Sequence, residues 1–446
     1  MMKVVIVGGV AGGMSAAAKL KRNLKEQVDI EVFEKGAVVS YAACGIPYFV
    51  SGRIPDASML VERTPEQFVE NGIDVKIRHE VAAVDAGSRR VTVRNLETGE
   101  RFERPYDKLI VASGARVRKI PPLDVERDNL HVVRDIGDAV RIRRQLEEAG
   151  VRAVVIVGGG FIGLEMAEAC SRMGKNVILV EFAARILPVM DPEFTDRMTR
   201  ELEANNVAVR VDSRVTELEC DGGRIVSVSI ESGQGRDEIP VDMVINCAGI
   251  VPCSEFIDVA KAVNGAILVN ERMETSAPDV YAAGDCSIMT SFLTNERQYA
   301  PLGTNANKQG RIIAELLSGK RVEPFRLIGS SAIRLFDLDA AKVGLSEMDA
   351  QRLNLDYKAN RITGNSHASY YSKGKVVIKL IYAADSRKLL GAQTMGHGSV
   401  VPRANYFAIA MNRGMTVDEF ALSDLCYSPP FSGVWDAALI AANTAR

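Results

Sequence analysis

A single cysteine, Cys44, offers the clearest chemistry in this chain. It lies in residues 40–48 (SYAACGIPY), ten positions after the acidic residue Glu34. The seven cysteines include no CxxC pair and no histidine at zinc-finger spacing, so neither a disulfide framework nor a zinc site is predicted. A lone thiol acts as a nucleophile in its thiolate form, and the start of a helix would lower its pKa.

The missing partner for Cys44 restricts what its oxidised form can be. With no second cysteine until position 170, oxidation must give a sulfenic acid or a mixed disulfide with a small thiol. The other cysteines, at positions 170, 220, 247, 253, 286 and 426, are predicted to be ordinary reduced thiols. Such unpaired thiols favour a cytoplasmic protein.

Two glycine-rich loops, at 8–13 (GGVAGG) and 158–163 (GGGFIG), repeat a second chemical feature. Each follows a short apolar run, precedes a helical stretch, and is followed by an acid, Glu34 or Glu181. Such a strand, turn and helix place a pyrophosphate on the N–H groups of the helix N-terminus. The acid accepts hydrogen bonds from the adenosine ribose, so each copy predicts one dinucleotide site.

The two loops differ in one glycine. Val10 replaces the second glycine of the fingerprint in the first loop, whereas the second loop has all three. In the second copy, the carboxylate of Glu181 favours NADH because it would repel the 2′-phosphate of NADPH. The nearby Arg185 leaves NADPH as an alternative.

Further strands are predicted around these loops. Residues 106–114 and 241–249 resemble each other as strands that end in small residues, and 275–285 is a short strand that ends in Gly-Asp. In the last part of the chain, an apolar strand is predicted at 376–382 and an amphipathic helix at about 402–412.

Together these motifs resemble the two-dinucleotide-binding flavoprotein disulfide reductases over essentially the whole chain. The resemblance implies an α/β protein with two Rossmann-like dinucleotide-binding domains, the second inserted in the first, and a C-terminal α/β dimerisation domain. The expected boundaries are 1–115 and 246–325 for the FAD domain, 116–245 for the NAD(P)H domain, and 326–446 for the dimerisation domain.

The resemblance also implies which residues bind the cofactors. FAD would contact Gly8, Gly9, Ala11, Gly12, Gly13, Glu34, Lys35, Val81, Ser113, Gly114, Asp285, Leu302, Gly303 and Thr304. NADH, or alternatively NADPH, would contact Gly158, Gly160, Ile162, Gly163, Glu181 and Gly249. No metal is expected.

The motif SxxxCG resembles the single-cysteine branch of the FAD- and NAD(P)-dependent pyridine nucleotide-disulfide oxidoreductases. This branch includes coenzyme A-disulfide reductases, CoA-dependent persulfide or sulfur reductases, NADH oxidases and NADH peroxidases. Members that reduce oxygen species usually carry a histidine in the first glycine-rich loop, and this chain has none at 8–13. The resemblance is therefore closest to the CoA-disulfide reductases. Longer persulfide reductases append a rhodanese-like domain, which is not expected here.

Substrate contacts follow from the same resemblance. A tyrosine pair of the neighbouring subunit, Tyr427 with Tyr371 or Tyr370, would stabilise a leaving thiolate, although these rings could instead pack only at the dimer interface. CoA would contact Ser15, Lys19, Arg22, Ser40, Asn307 and Trp435. For the basic residues among them, a merely solvated charged face is the alternative.

The expected activity is reduction of CoA disulfide by NAD(P)H through FAD and Cys44, in a homodimer whose active site both subunits share. Persulfide or polysulfide reduction, NADH oxidation and a flavoprotein redox sensor are the alternatives. A formal net charge of −2 over 446 residues gives no reason to expect a nucleic-acid partner. The longest apolar stretch, 4–18, is too short to cross a bilayer and lacks signal-peptide features.

Overall fold

The computed structural model describes residues 1–446, and its first sheet has five parallel strands. Their order is Val280–Ala282, Lys108–Val111, Met2–Val7, Val28–Phe33 and Asp74–Lys76. The central strand is a continuous apolar run, as expected for a parallel strand buried on both faces. The helices Ala11–Leu24 and Gly303–Leu317 pack on one another. At their crossing, a methyl group on Gly310 would lie 2.2 Å from the Gly12 carbonyl oxygen, so this packing requires glycine.

The second sheet repeats the first. Its parallel strands are ordered Leu130–Val132, Met243–Asn246, Ala153–Val157, Asn176–Val180 and Val207–Arg210. In both sheets the central strand leads into the glycine-rich loop and pairs with the strand that carries the acid at its end. The helices of this unit are Ile136–Leu146, Phe161–Arg172 and Pro192–Ala204.

Each of the two nucleotide-binding units also contains an antiparallel sheet of three strands. The strands are His79–Asp85, Arg90–Asn95 and Arg101–Pro105 in the first case, and Ser213–Asp221, Arg224–Ser232 and Gly235–Pro240 in the second. The strands Ala115–Val117 and Ile250–Pro252 pair where the chain enters and leaves the second unit. The second unit is thus inserted in the first, and the residue numbers assigned to the domain boundaries stay predictions.

The last part of the chain forms an antiparallel sheet covered by helices. The strand order is Ser330–Leu335, Leu338–Gly344, Leu389–Gly396, Lys375–Ala383 and Tyr357–Asn365. The helices are Glu347–Arg352, Val400–Asn412, Val417–Ala421 and Ala437–Asn443. The strand predicted at 376–382 and the helix predicted at 402–412 are both present, each extended by one or two residues.

Short elements complete the fold. The remaining strands are Ile267–Leu268, Ser287–Thr290 and Arg297–Gln298, and the remaining helices are Ile46–Val50 and Pro65–Glu70. Single turns of tighter helix occur at Lys25–Gln27, Ala43–Gly45, Ala57–Leu60 and Gly284–Cys286. None of the helices has both the length and the apolar character that crossing a membrane would require.

A buried lysine joins the last sheet to the second nucleotide unit. The ammonium of Lys379 lies 2.9 Å from a carboxylate oxygen of Asp191, 2.7 Å from Glu193 and 2.6 Å from Glu347. Asp191 also accepts hydrogen bonds from the backbone N–H of Glu347 and from the Gln393 side chain. None of the three carboxyls has another cationic partner, so Lys379 alone offsets their charge.

Candidate active site

The first glycine-rich loop has the geometry of a phosphate cradle. Gly8 has a φ of +103°, and a methyl group there would lie 2.1 Å from the Ala112 carbonyl oxygen. A methyl group on Gly13 would lie 1.9 Å from the Gly8 carbonyl oxygen. The helix Ala11–Leu24 starts directly after Val10, so the N–H groups of its first turn have no partner within the helix. This loop fits the pyrophosphate of a dinucleotide.

Glu34, the acid after the first loop, is hydrogen-bonded to that loop. One carboxylate oxygen of Glu34 accepts the Gly9 N–H at 2.7 Å, and the other accepts the Gly36 N–H at 2.6 Å. Ser40, with a φ of 48°, donates its backbone N–H to the Gly9 carbonyl at 2.8 Å. The segment that leads to Cys44 is therefore fixed to this loop.

The second loop has the same backbone conformation and the same hydrogen bonds to its acid. Gly158 has a φ of +109°, and a methyl group on Gly163 would lie 1.8 Å from the Gly158 carbonyl oxygen. Glu181 accepts the Gly159 N–H at 2.6 Å and the Ala183 N–H at 2.7 Å. A methyl group on Gly160 would meet no protein atom within 4 Å. The backbone therefore tolerates a side chain at this position, which explains how the first loop can carry Val10.

Asp285 lies where the first sheet ends, in the turn Gly284–Cys286. Its carboxylate is 3.3 Å from the Arg134 guanidinium, and its carbonyl accepts the Tyr299 hydroxyl at 2.8 Å. The Gly284 N–H donates to the side chain of the buried Gln309 at 2.6 Å. Sequence reasoning missed Arg134, Tyr299 and Gln309, because no local pattern connects them to this turn.

The other predicted cofactor residues lie around these loops and differ in their exposure to solvent. Leu302 and Gly303 begin the helix Gly303–Leu317, and Gly114 and Gly249 have positive φ in the turns that link the two units. Val81 is buried in the core, so only its backbone could reach a ligand. Ser113 donates its hydroxyl to the Cys253 carbonyl, and Lys35, Ile162 and Thr304 are exposed.

Cys44 is an accessible thiol close to Gly303, one of the predicted FAD contacts. It lies in the turn Ala43–Gly45, directly before the helix Ile46–Val50. A methyl group on Gly303 would lie 3.9 Å from its sulfur, so the N-terminus of the helix Gly303–Leu317 faces the thiol. All seven cysteines are free, and Cys44 follows the segment that the Ser40 backbone N–H ties to the first glycine-rich loop.

The expectation of a lowered pKa for Cys44 is wrong. Burial, followed by the carboxyls of Glu165 and Asp285, raises the pKa of this thiol above its usual value. The helix that follows Cys44 has five residues, and its small dipole does not outweigh the cost of charging a thiol among protein atoms and two acids.

Three of the six predicted CoA contacts lie along the crossing of the two packed helices. Ser15 donates its hydroxyl to the Asn307 side chain. Lys19 pairs with Glu315 at 2.7 Å, and Lys320 also binds this carboxylate, at 2.9 Å. Arg22 lies one turn beyond Lys19 and is exposed without an ion pair. These residues form a polar groove on one side of the glycine-rich loop.

The predicted tyrosines lie on the last domain. Tyr370, Tyr371, Tyr427 and Trp435 are all exposed, as are Phe431 and Val434. Tyr427 and Tyr370 hydrogen-bond to one another, which raises the pKa of Tyr427, and the ring of Tyr371 lies 6.3 Å from that of His367. An exposed apolar patch of this kind is typical of a protein interface.

A buried arginine holds the two segments that carry this patch. Arg403 donates to the carboxylate of Asp436 at 2.8 Å and 2.9 Å, and to the Ser366 carbonyl at 2.8 Å. Arg403 is 1% exposed and Asp436 is 7% exposed. Asp436 follows Trp435 and caps the last helix, so one ion pair fixes both aromatic segments.

Sequence reasoning also missed a cleft between the three parts of the molecule. It is lined by Tyr48 and Arg53 from the segment after Cys44, Glu165, Glu168 and Arg172 from the helix Phe161–Arg172, and Arg334 from the last sheet. Burial, followed by the charge of Glu168, raises the pKa of Glu165 to about 7.

Comparison with known proteins identifies the family. Residues 2–310 match the pyridine nucleotide-disulphide oxidoreductases, and residues 330–439 match the dimerisation domain of the same family. The chain belongs to this family. The predicted fold class is confirmed, as is the prediction of an oxidoreductase that uses FAD and NAD(P)H. The glycine-rich loops and their acids are the residues that fit these two dinucleotides.

Relatives at comparable identity are named for different activities, among them CoA persulfide reduction, CoA disulfide reduction and NADH oxidation. The chain is 34% identical over 451 residues to the NAD(P)H coenzyme A polysulfide/persulfide reductase of Pyrococcus horikoshii, covering 100% of this chain and 98% of that protein. It is 30% identical to the coenzyme A disulfide reductase of Staphylococcus haemolyticus, covering 100% of both. The solved structure of reduced CoADR-RHD from Bacillus anthracis has a TM-score of 0.95 and 34% identity, over 99% of this chain and 79% of that one.

Proposed function

We propose that this chain reduces coenzyme A disulfide with NAD(P)H, with Cys44 as the thiol that forms a mixed disulfide with CoA. The observation that carries the proposal is the position of Cys44, an accessible free thiol beside the N-terminus of the helix Gly303–Leu317. No second cysteine is close enough to form an internal disulfide. The polar groove of Ser15, Lys19 and Asn307 flanks the same helix and supplies contacts for a phosphorylated thiol.

The reaction requires the thiolate of Cys44 to attack one sulfur of CoA disulfide. A bond forms between the Cys44 sulfur and CoA, the original disulfide bond breaks, and the second CoA leaves as a thiolate. FAD, when bound, relays two electrons from NAD(P)H to the mixed disulfide. Those electrons release the second CoA thiolate and restore the Cys44 thiolate, and one proton from NAD(P)H oxidation and one from solvent convert the two CoA thiolates into thiols.

The site is proposed to be completed by a second copy of the chain. Tyr427 and Tyr371, or Tyr370, carry exposed hydroxyls on the domain that matches the family's dimerisation domain. A tyrosine hydroxyl donates a hydrogen bond to a departing thiolate while it keeps its own proton. We therefore place these tyrosines, with Trp435, at the Cys44 site of the opposite subunit in a homodimer. The free state of all seven cysteines is consistent with a cytoplasmic location.

NADH is the proposed preferred reductant. The carboxylate of Glu181 occupies the ribose end of the second loop, where it repels a 2′-phosphate. Arg185 pairs with Asp196 on the helix Pro192–Ala204, so this arginine already has an anionic partner.

The decisive experiment combines mass spectrometry with turnover. Protein purified without reductant should carry a CoA adduct on Cys44, and Cys44→Ser should abolish NADH oxidation driven by CoA disulfide while retaining FAD. Cys220→Ser, which removes another exposed thiol, is the matched control and should keep full activity. Undiminished turnover of Cys44→Ser would refute the proposal.

Persulfide or polysulfide reduction is the second candidate, because the Pyrococcus horikoshii relative named for it has 34% identity. Both reactions use one thiol and the same electron relay. The ratio of kcat/KM for CoA disulfide to that for CoA persulfide, measured at one NADH concentration, distinguishes them.

A further inference from the structure

Glu165 is the one carboxyl of the three-part cleft without a cationic partner. Arg172 donates to Glu168 at 2.6 Å, and Arg53 lies 3.9 Å from the same carboxylate. Arg334 is held by both carboxylate oxygens of Asp339, at 2.5 Å and 2.9 Å. Every arginine of the cleft therefore already binds another acid, and Glu165 forms no ion pair.

The cleft lies between the helix that begins at the second nucleotide loop and the helix that follows the reactive thiol. Glu165 lies on the helix Phe161–Arg172, which begins at that loop, and this helix packs against the helix Ile46–Val50 that follows Cys44. Pro47 and Tyr48 of the latter helix line the cleft together with Glu165. The helix that carries Glu165 and the helix that follows Cys44 are therefore in direct contact.

We propose that Glu165 controls the ionisation of the Cys44 thiol. The inference rests on the proposed function, in which Cys44 must be a thiolate to attack. A carboxylate and a thiolate are like charges, and in a partly buried region each disfavours the other. The two groups therefore titrate as a coupled pair that carries one negative charge more easily than two. Glu165 is a positioning residue in this scheme, since it acts only through Cys44.

The direction of both pKa shifts agrees with this coupling. After burial, the charge of Glu165 is the largest influence that raises the pKa of Cys44. Burial, followed by the charge of Glu168, raises the pKa of Glu165 itself to about 7. Protonation of Glu165 near neutral pH would remove one negative charge from the surroundings of the thiol and so favour the thiolate.

The other charged groups around the pair do not replace Glu165. Tyr48 faces the cleft from the helix after Cys44, and burial, followed by Glu165, raises the pKa of its hydroxyl, so it stays neutral. The cations, Arg53, Arg172 and Arg334, bind Glu168 or Asp339 as described. On the thiol side the remaining acid is Asp285, which already lies 3.3 Å from Arg134.

The test is the pH profile of Cys44 alkylation in the full-length, FAD-loaded protein, after a reductant has freed the thiol and has been removed. The rate of reaction with iodoacetamide, followed at Cys44 by mass spectrometry, reports the thiolate fraction. For Glu165→Gln we expect the midpoint to fall by about one pH unit, which gives about tenfold faster alkylation below the midpoint. Glu165→Asp keeps the charge and should retain the wild-type profile.

Identical profiles for the wild type and Glu165→Gln would overturn the inference. If Glu165→Gln does not fold, the wild-type profile still decides, because coupling requires a second inflection near the pKa of Glu165, about 7. A single-step wild-type curve would then refute it. Cys44→Ser turnover tests the proposed function independently, so the two failures are distinguishable.

Discussion

The buried cluster around Lys379 should be a major source of stability for the docking of the last domain. Lys379→Met removes the single cation and leaves Asp191, Glu193 and Glu347 uncompensated. The side chain of Asp191 is 1% exposed, whereas those of Glu193 and Glu347 are about one-third exposed. Removing one partner of a buried ion pair destabilises a protein by about 3–5 kcal/mol. Because Glu193 and Glu347 are partly hydrated, we expect Lys379→Met to lower the free energy of unfolding by about 3 kcal/mol.

That free energy corresponds to a large change in melting temperature. For a domain of this size, each kcal/mol lowers Tm by about 2–4 °C, so Lys379→Met should melt about 6–12 °C below the wild type. Differential scanning calorimetry at one scan rate is the assay, with FAD saturating in every sample. Lys358→Met is the matched control, because Lys358 is exposed on the adjacent strand and forms no ion pair. It should melt within about 1 °C of the wild type.

The pH dependence gives a second check on the same cluster. Burial lowers the pKa of Lys379, but hydrogen bonds to Glu193, Glu347 and Asp191 outweigh it and raise that pKa well above the usual value. A raised pKa in the folded state means that the stabilisation is complete below the unfolded-state value, about 10.4, and is lost only as pH rises through the folded-state value. The Tm difference should therefore be constant from about pH 6 to about pH 9. Equal Tm values for Lys379→Met and Lys358→Met would refute the reasoning.

Three further variants test the site. Tyr427→Phe should slow CoA disulfide reduction about 10–100-fold with FAD content unchanged, because a hydrogen bond to the leaving thiolate is lost; equal turnover contradicts this role. Glu181→Ala should raise the kcat/KM ratio of NADPH to NADH about tenfold by removing a repulsive carboxylate, and an unchanged ratio would place the discrimination elsewhere. Arg403→Met should destabilise the protein by about 3–5 kcal/mol, in contrast to the exposed Arg413→Met, and equal melting of these two would exclude a structural role.

Local sequence patterns were sufficient to predict the duplicated nucleotide units. A glycine with positive φ, an apolar strand before it and an acid after it are all encoded within about 30 residues. The structure shows the same hydrogen bonds from Gly9 to Glu34 and from Gly159 to Glu181. The insertion of the second unit in the first was implied by the resemblance to the two-dinucleotide-binding flavoprotein disulfide reductases.

Residues brought together by long-range packing could not be predicted in this way. Arg134 and Asp285 are 151 positions apart, and Lys379 and Asp191 come from different domains. The pKa of Cys44 was predicted in the wrong direction because burial, followed by the charge of Glu165, raises it, and Glu165 comes from a helix of the other nucleotide unit. No sequence pattern within residues 40–48 predicts an influence of Glu165 on Cys44.

The exposed aromatic patch has a spectroscopic consequence. Trp435 is the only tryptophan among the 446 residues, and it is 57% exposed at the surface proposed to meet the second subunit. Its emission therefore comes from one known place and needs no engineered label. Dilution of the protein should red-shift this emission as the subunits separate, and CoA should alter it at a fixed protein concentration. In the proposed homodimer, Trp435 would therefore report both subunit association and CoA binding.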